Sequence, residues 1–107
     1  MKIIISESQL NLLFYLKTLD LILKGIKLNK EKSERDYKLY YIGDIRIFTY
    51  SERSEAVYFF KKYVDELIDM TSNLDEEKAK EVIKSWIQNK FWYPVRDVYF
   101  VKQMSKD

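Results

Sequence analysis

The sequence predicts an α+β domain, and three observations carry that expectation. Residues 37–50, YKLYYI-GD-IRIFTY, place two runs of β-branched and aromatic residues on either side of a Gly-Asp pair, a two-residue hairpin signal with Gly at the first central position. Two later stretches, from Ala56 to Ile68 and from Ala79 to Ile87, repeat apolar residues at helical spacing. Short strand-like runs bracket the chain, KIII near the start and VRDVYFVK near the end. The expected element order is β-α-β-β-α-α-β.

Residues 2–5 form an apolar run that suits a buried strand. Ser6 and Gln9 have the spacing of a capping box, and Glu7 favours the positive helix end, so a helix is expected from about residue 7. Carried to Lys24, it would end at Gly25 as a left-handed C′ residue, with Ile26 reaching back to Leu21. Its apolar positions (Leu10, Leu12, Leu13, Phe14, Leu16, Leu19, Leu21, Ile22, Leu23) cover more than one face, as in a helix buried on several sides or touching a partner. The competing reading stops the helix near Lys17 and folds residues 19–28 into a second hairpin around Gly25.

Residues 29–36, NKEKSERD, read as a charged, mobile loop before the hairpin. A regular pairing across Gly43-Asp44 sets Ile42 opposite Ile45, Tyr41 opposite Arg46, Tyr40 opposite Ile47 and Leu39 opposite Phe48. Lys38, Tyr40, Ile42, Ile45, Ile47 and Thr49 then share an ordinary core face, while Tyr37, Leu39, Tyr41, Arg46, Phe48 and Tyr50 share an aromatic one. Ser51 or Ser54 is expected to cap a helix whose Ala56, Val57, Phe59, Phe60, Tyr63, Val64, Leu67 and Ile68 fall on one broad face. Asp75 caps the next helix, with Leu74 stapled to Ala79 and a narrower stripe of Ala79, Val82, Ile83, Trp86 and Ile87. Pro94 closes that helical region, residues 95–102 read as a closing strand, and residues 103–107 as a frayed tail. This order resembles the ferredoxin-like plan, a four-stranded antiparallel sheet with helices on one face, its second crossover enlarged to a helical hairpin.

Composition narrows the chemistry. The 107 residues suit one domain with a single core, and 47% hydrophobic with 34% charged residues is a globular balance. Cysteine is absent, which rules out disulfides, and so is histidine, the side chain most used for acid–base work near neutral pH. A net charge of +2 is small for a nucleic-acid footprint, and Lys24, Lys27, Lys30 and Lys32 read as a solvated edge. The longest apolar region, residues 10–28, is cut by Lys17, Asp20, Lys24 and Lys27, so no membrane span is expected. With no leader visible, the expected location is the cytoplasm of an expressing or infected bacterial cell, or a virion.

No nucleophilic triad can be assembled, and two glycines, Gly25 and Gly43, cannot build a phosphate-cradling loop. The pairs Asp65/Asp69 and Glu77/Glu81 lie on polar helix faces, the latter with Lys80 and Lys84 beside them, which is the usual exposed charge pattern. The expectation is therefore no metal, no cofactor and no catalytic role.

What remains is a set of rings. Tyr37, Tyr41, Arg46, Phe48 and Tyr50 on the aromatic hairpin face, with Trp92 and Tyr93 after the last helix, are residue types enriched at interface centres. They point to a protein partner: a second copy, a virion protein or a host protein. The alternative occupant is single-stranded nucleic acid. Arg46, Phe48 and Tyr50 alternate as in RNA-recognition motifs, although Ile47 and Thr49 stand where that motif has Gly or a small residue. The bland alternative is that a helix or the segment Phe91-Trp92-Tyr93 covers this face. Finally, the opening MKIIISESQL, with the Lys, Ile, Tyr and Asn usage and scarce Gly and Pro, resembles small proteins of tailed bacteriophages. That resemblance implies a virion component or a small factor that redirects host machinery, and carries over no functional residues.

Overall fold

The computed structural model describes residues 7–71 and 74–102, with side chains from residue 11 onward. The expected first strand at residues 2–5, the Ser6 cap and the tail at 103–107 lie outside the described residues. The order is α1 (Glu7–Ile22), β1 (Lys27–Leu28), β2 (Tyr37–Ile42), β3 (Ile45–Ser51), β4 (Ala56–Phe60), α2 (Lys61–Met70), α3 (Glu76–Phe91) and β5 (Asp97–Val101). The class is α+β, in roughly the expected order.

Three features differ from the sequence expectation. First, among the described residues the sheet has five strands in the sequential order β1-β2-β3-β4-β5, antiparallel except for the parallel β4–β5 pair that α2 and α3 connect. The four-stranded antiparallel plan is thus replaced by a mixed five-stranded sheet. Second, AVYFF is strand β4 rather than the first turns of a helix. The residues after Ser51 form the loop of a second hairpin, and α2 starts only at Lys61. A run of β-branched and aromatic residues prefers a pleated, half-buried surface, and here Val57 and Phe59 point to the core while Tyr58 points away. Third, the β2–β3 ladder slips by one residue. Ile42 pairs with Ile45 and Tyr41 with Arg46 as expected, but Tyr40 then pairs with Phe48 and Leu39 with Thr49. Ile47 is the extra residue of a β-bulge, and everything beyond it changes face.

The first helix settles the other alternative. It runs to Ile22, and Gly25 holds the left-handed conformation at φ +89° before β1 pairs with β2. Further along, α3 follows its pattern: the Asp75 carboxylate accepts from the Lys78 amide at 2.8 Å, and Ala79, Val82, Ile83, Trp86 and Ile87 are all buried.

One core cluster joins the three helices to one sheet face. Leu19 of α1, Leu23 just past its end, Val64 and Leu67 of α2, and the α3 stripe pack with Tyr40, Phe48, Tyr50, Val57, Phe59 and Val98. By register these strand residues share a face. The opposite face carries Tyr37, Thr49, Tyr58 and Tyr99, each at least partly exposed. No helix among the described residues is long and apolar enough to cross a membrane.

Candidate functional site

The ladder slip decides where the hairpin rings go. Phe48 and Tyr50 are 0% and 2% exposed, inside the core, so their assignment to an outward docking face is corrected. Phe48 stacks on Tyr40 at 4.5 Å and on Phe59 at 5.9 Å. Tyr50 stacks on Tyr93 at 4.3 Å and donates its hydroxyl to the Pro94 carbonyl at 2.6 Å. Tyr41 keeps its place on the face away from the helices but is buried, with the Lys32 ammonium 5.2 Å and the Arg46 guanidinium 6.0 Å from its ring. Arg46 also donates to the Tyr41 hydroxyl at 3.4 Å. Tyr37 is exposed. Arg46, Phe48 and Tyr50 therefore do not share a surface, and the nucleic-acid arrangement built on them has no geometric basis.

The open face instead displays Tyr58 and Tyr99, paired across β4 and β5 with their rings stacked at 5.4 Å. Sequence reasoning missed both. The strand-like alternation within AVYFF was the signal that could have found Tyr58.

The segment after α3 behaves differently. Phe91, Trp92 and Tyr93 are consecutive rings, and the backbone turns the middle one outward. Phe91 packs against Tyr40 at 4.6 Å, Trp86 at 5.6 Å and Phe48 at 5.7 Å. Tyr93 lies on Tyr50, and its hydroxyl shares a 2.5 Å hydrogen bond with that of Tyr40. Between them Trp92 is 87% exposed. Its backbone caps α3 in the left-handed conformation, φ 62° and ψ 24°, with its amide donating to the Gln88 carbonyl at 3.1 Å. Helices end this way on Gly or Asn, because a side chain there costs about 1–2 kcal/mol. The structure thus holds its most exposed large ring at a strained position, between two rings that anchor the backbone on either side. Tyr93, expected beside Trp92 as a second contact residue, serves as a lid on the core.

The surroundings are equally fixed. The Gln88 side-chain carbonyl accepts from the Val95 amide at 3.3 Å. Asp20 of α1 accepts from the Trp86 indole at 2.8 Å and pairs with Lys90 at 3.3 Å, tying α1 to the end of α3. Burial, the hydrogen bond to Tyr93 and the Tyr93 charge push the Tyr40 phenol above its ordinary value. Burial, then Glu55, Glu52 and Tyr93, do the same to Tyr50.

A second exposed apolar feature lies on α1, where Leu13, Phe14 and Leu21 face solvent while Leu19 enters the core. Among the described residues, no three carboxylates converge as they would around a metal ion. No protein-family model matches this chain, and neither the curated proteins nor the solved structures contain a match to it.

Proposed function

We propose that this chain is a protein-contact module without catalytic function, and that Trp92 is its docking residue. The observation that carries the reading is the combination at Trp92 of near-complete exposure with a left-handed backbone. A position where Gly would relieve strain holds the residue type most enriched at interface hot spots. Fully buried in a partner's pocket, a Trp side chain removes about 150–250 Å² from water. At about 25 cal/mol per Å² this is roughly 4–6 kcal/mol before the costs of association. Phe91 and Tyr93 reduce those costs by fixing the backbone in advance. The exposed Leu13, Phe14 and Leu21 of α1 support the same kind of role, as apolar surface outside the core.

A setting in a tailed-phage particle, or as a phage factor acting on a host protein, fits the opening residues and the composition. The test is association of the wild-type chain and the Trp92→Gly variant, by sedimentation at rising concentration and by capture from expressing cells. The reading expects self-association or a retained protein that Trp92→Gly weakens at least tenfold while the variant stays folded. Association that survives the substitution, or no association in either format, overturns it.

A further inference from the structure

The loop at residues 29–36 does more than link β1 to β2. Its backbone is held from within: the Asn29 carbonyl accepts from the Ser33 amide at 3.0 Å and from the Ser33 hydroxyl at 2.6 Å. The Asn29 side chain accepts from the Lys32 amide at 3.0 Å. The Ser33 oxygen in turn accepts from the Leu39 amide at 3.0 Å. Glu34 and Tyr37 exchange both backbone bonds, at 2.9 and 3.2 Å, so Arg35 and Asp36 form a two-residue turn at the tip. This framework borders a cleft of about 420 Å³ lined by Leu28, Lys30, Ser33, Glu34, Arg35 and Lys38.

Three cations reach the cleft from three places: the turn after β1, the loop tip and β2. Among the lining residues one carboxylate, that of Glu34, stands against them, so the lining carries a formal +2. Lys38 has one ion pair, a 3.7 Å contact with the half-exposed Glu52, and among the described residues Lys30 and Arg35 have none. The Ser33 hydroxyl spends its proton on Asn29, so the binding donors are the cations themselves.

We propose that this cleft binds a phosphate dianion, free or as the terminal group of a small monoester. A charge of −2 matches the +2 of the lining. An Arg fork with two lysine point charges is the donor set that suits tetrahedral phosphate oxygens, and the Leu28 side chain offers an apolar wall to the group a monoester carries. A polymeric diester fits less well, because it needs cations in a track and the whole chain carries only +2. The proposal is independent of the Trp92 reading.

The experiment titrates the isotopically labelled full chain with inorganic phosphate, phenyl phosphate, diphenyl phosphate and acetate at constant low ionic strength, following backbone amide shifts. Saturable shifts at Lys30, Ser33 and Arg35 are expected for the two dianions. Arg35→Ala and Lys30→Ala each weaken them about tenfold, in line with the loss of a charge-assisted bond. Glu34→Gln tightens binding, and Lys17→Ala leaves it unchanged. Affinity for phenyl phosphate falls several-fold from pH 7.5 to pH 5, because a phosphate monoester gains its second proton near pH 6. Tighter binding of phenyl phosphate assigns the cleft to monoesters, and equal affinity assigns it to the free ion. Shifts that do not saturate, that acetate or the diester reproduce at equal affinity, or that survive Arg35→Ala overturn the proposal.

Discussion

Two aromatic regions of this molecule meet opposite fates. In the β2–β3 hairpin, Tyr40, Phe48 and Tyr50 turn inward and become the centre of the core. In the Phe91-Trp92-Tyr93 segment the outer two rings turn inward and the middle one is presented to solvent. Aromatic character does not separate the two, since the hairpin carries Tyr and Phe rings and the later segment Phe, Trp and Tyr. One backbone irregularity does so in each case: a bulge at Ile47 shifts Phe48 and Tyr50 across the sheet, and a left-handed residue at 92 lets both its neighbours face the core. Where an aromatic cluster ends up is therefore a question about φ, ψ and register before it is one about hydrophobicity.

Substitutions sharpen that contrast. The largest expected effect is Phe48→Ala, which empties a fully buried ring position stacked between Tyr40 and Phe59 and should cost about 3–5 kcal/mol in urea unfolding. Next comes alkaline pH. The unfolded chain ionises its tyrosines near pH 10, whereas Tyr40 and Tyr50 are raised above that by burial first. Above pH 10 the unfolded state has released protons that the folded state still holds, so stability is full below that pH and falls as pH rises through it. Tyr40→Phe should flatten the decline, and an unchanged slope would place that phenol in water. Tyr50→Phe at neutral pH removes only the hydroxyl bond to Pro94, a loss of about 1 kcal/mol. Trp92→Gly should change least, between no effect and about 1 kcal/mol of gain, since relief of the left-handed strain is offset by the freedom Gly adds to the unfolded chain.

Much of the fold was legible where independent physical signals agreed. Asp75 before Glu76 and Glu77, followed by a clean stripe from Ala79 to Ile87, fixed α3 because capping, dipole and periodicity agree. The Gly43-Asp44 turn was equally plain, and Gly43 adopts φ +60°. The sequence could not show the bulge, because Ile47 fits either face and a one-residue slip leaves local propensity unchanged. Ala56 to Phe60 was misread because Ala56, Val57, Phe59 and Phe60 satisfy helical spacing as well as strand propensity, and the choice was made by pairing with β3 across a short loop and with β5, which is distant in sequence. Of the candidate contact residues, Trp92 and Tyr37 are exposed, whereas Phe48 and Tyr50 are not. The cationic cleft escaped notice because Lys30, Arg35 and Lys38 converge only once the loop is folded.

The most direct measurement is acrylamide quenching of the two tryptophans, Trp86 and Trp92. One shielded and one fully accessible emitter are expected in the isolated chain, with Trp92→Gly removing only the accessible one and the accessible one becoming shielded on association. Two equally shielded tryptophans, or a Trp92→Gly variant that exposes Trp86 by unfolding, would contradict it.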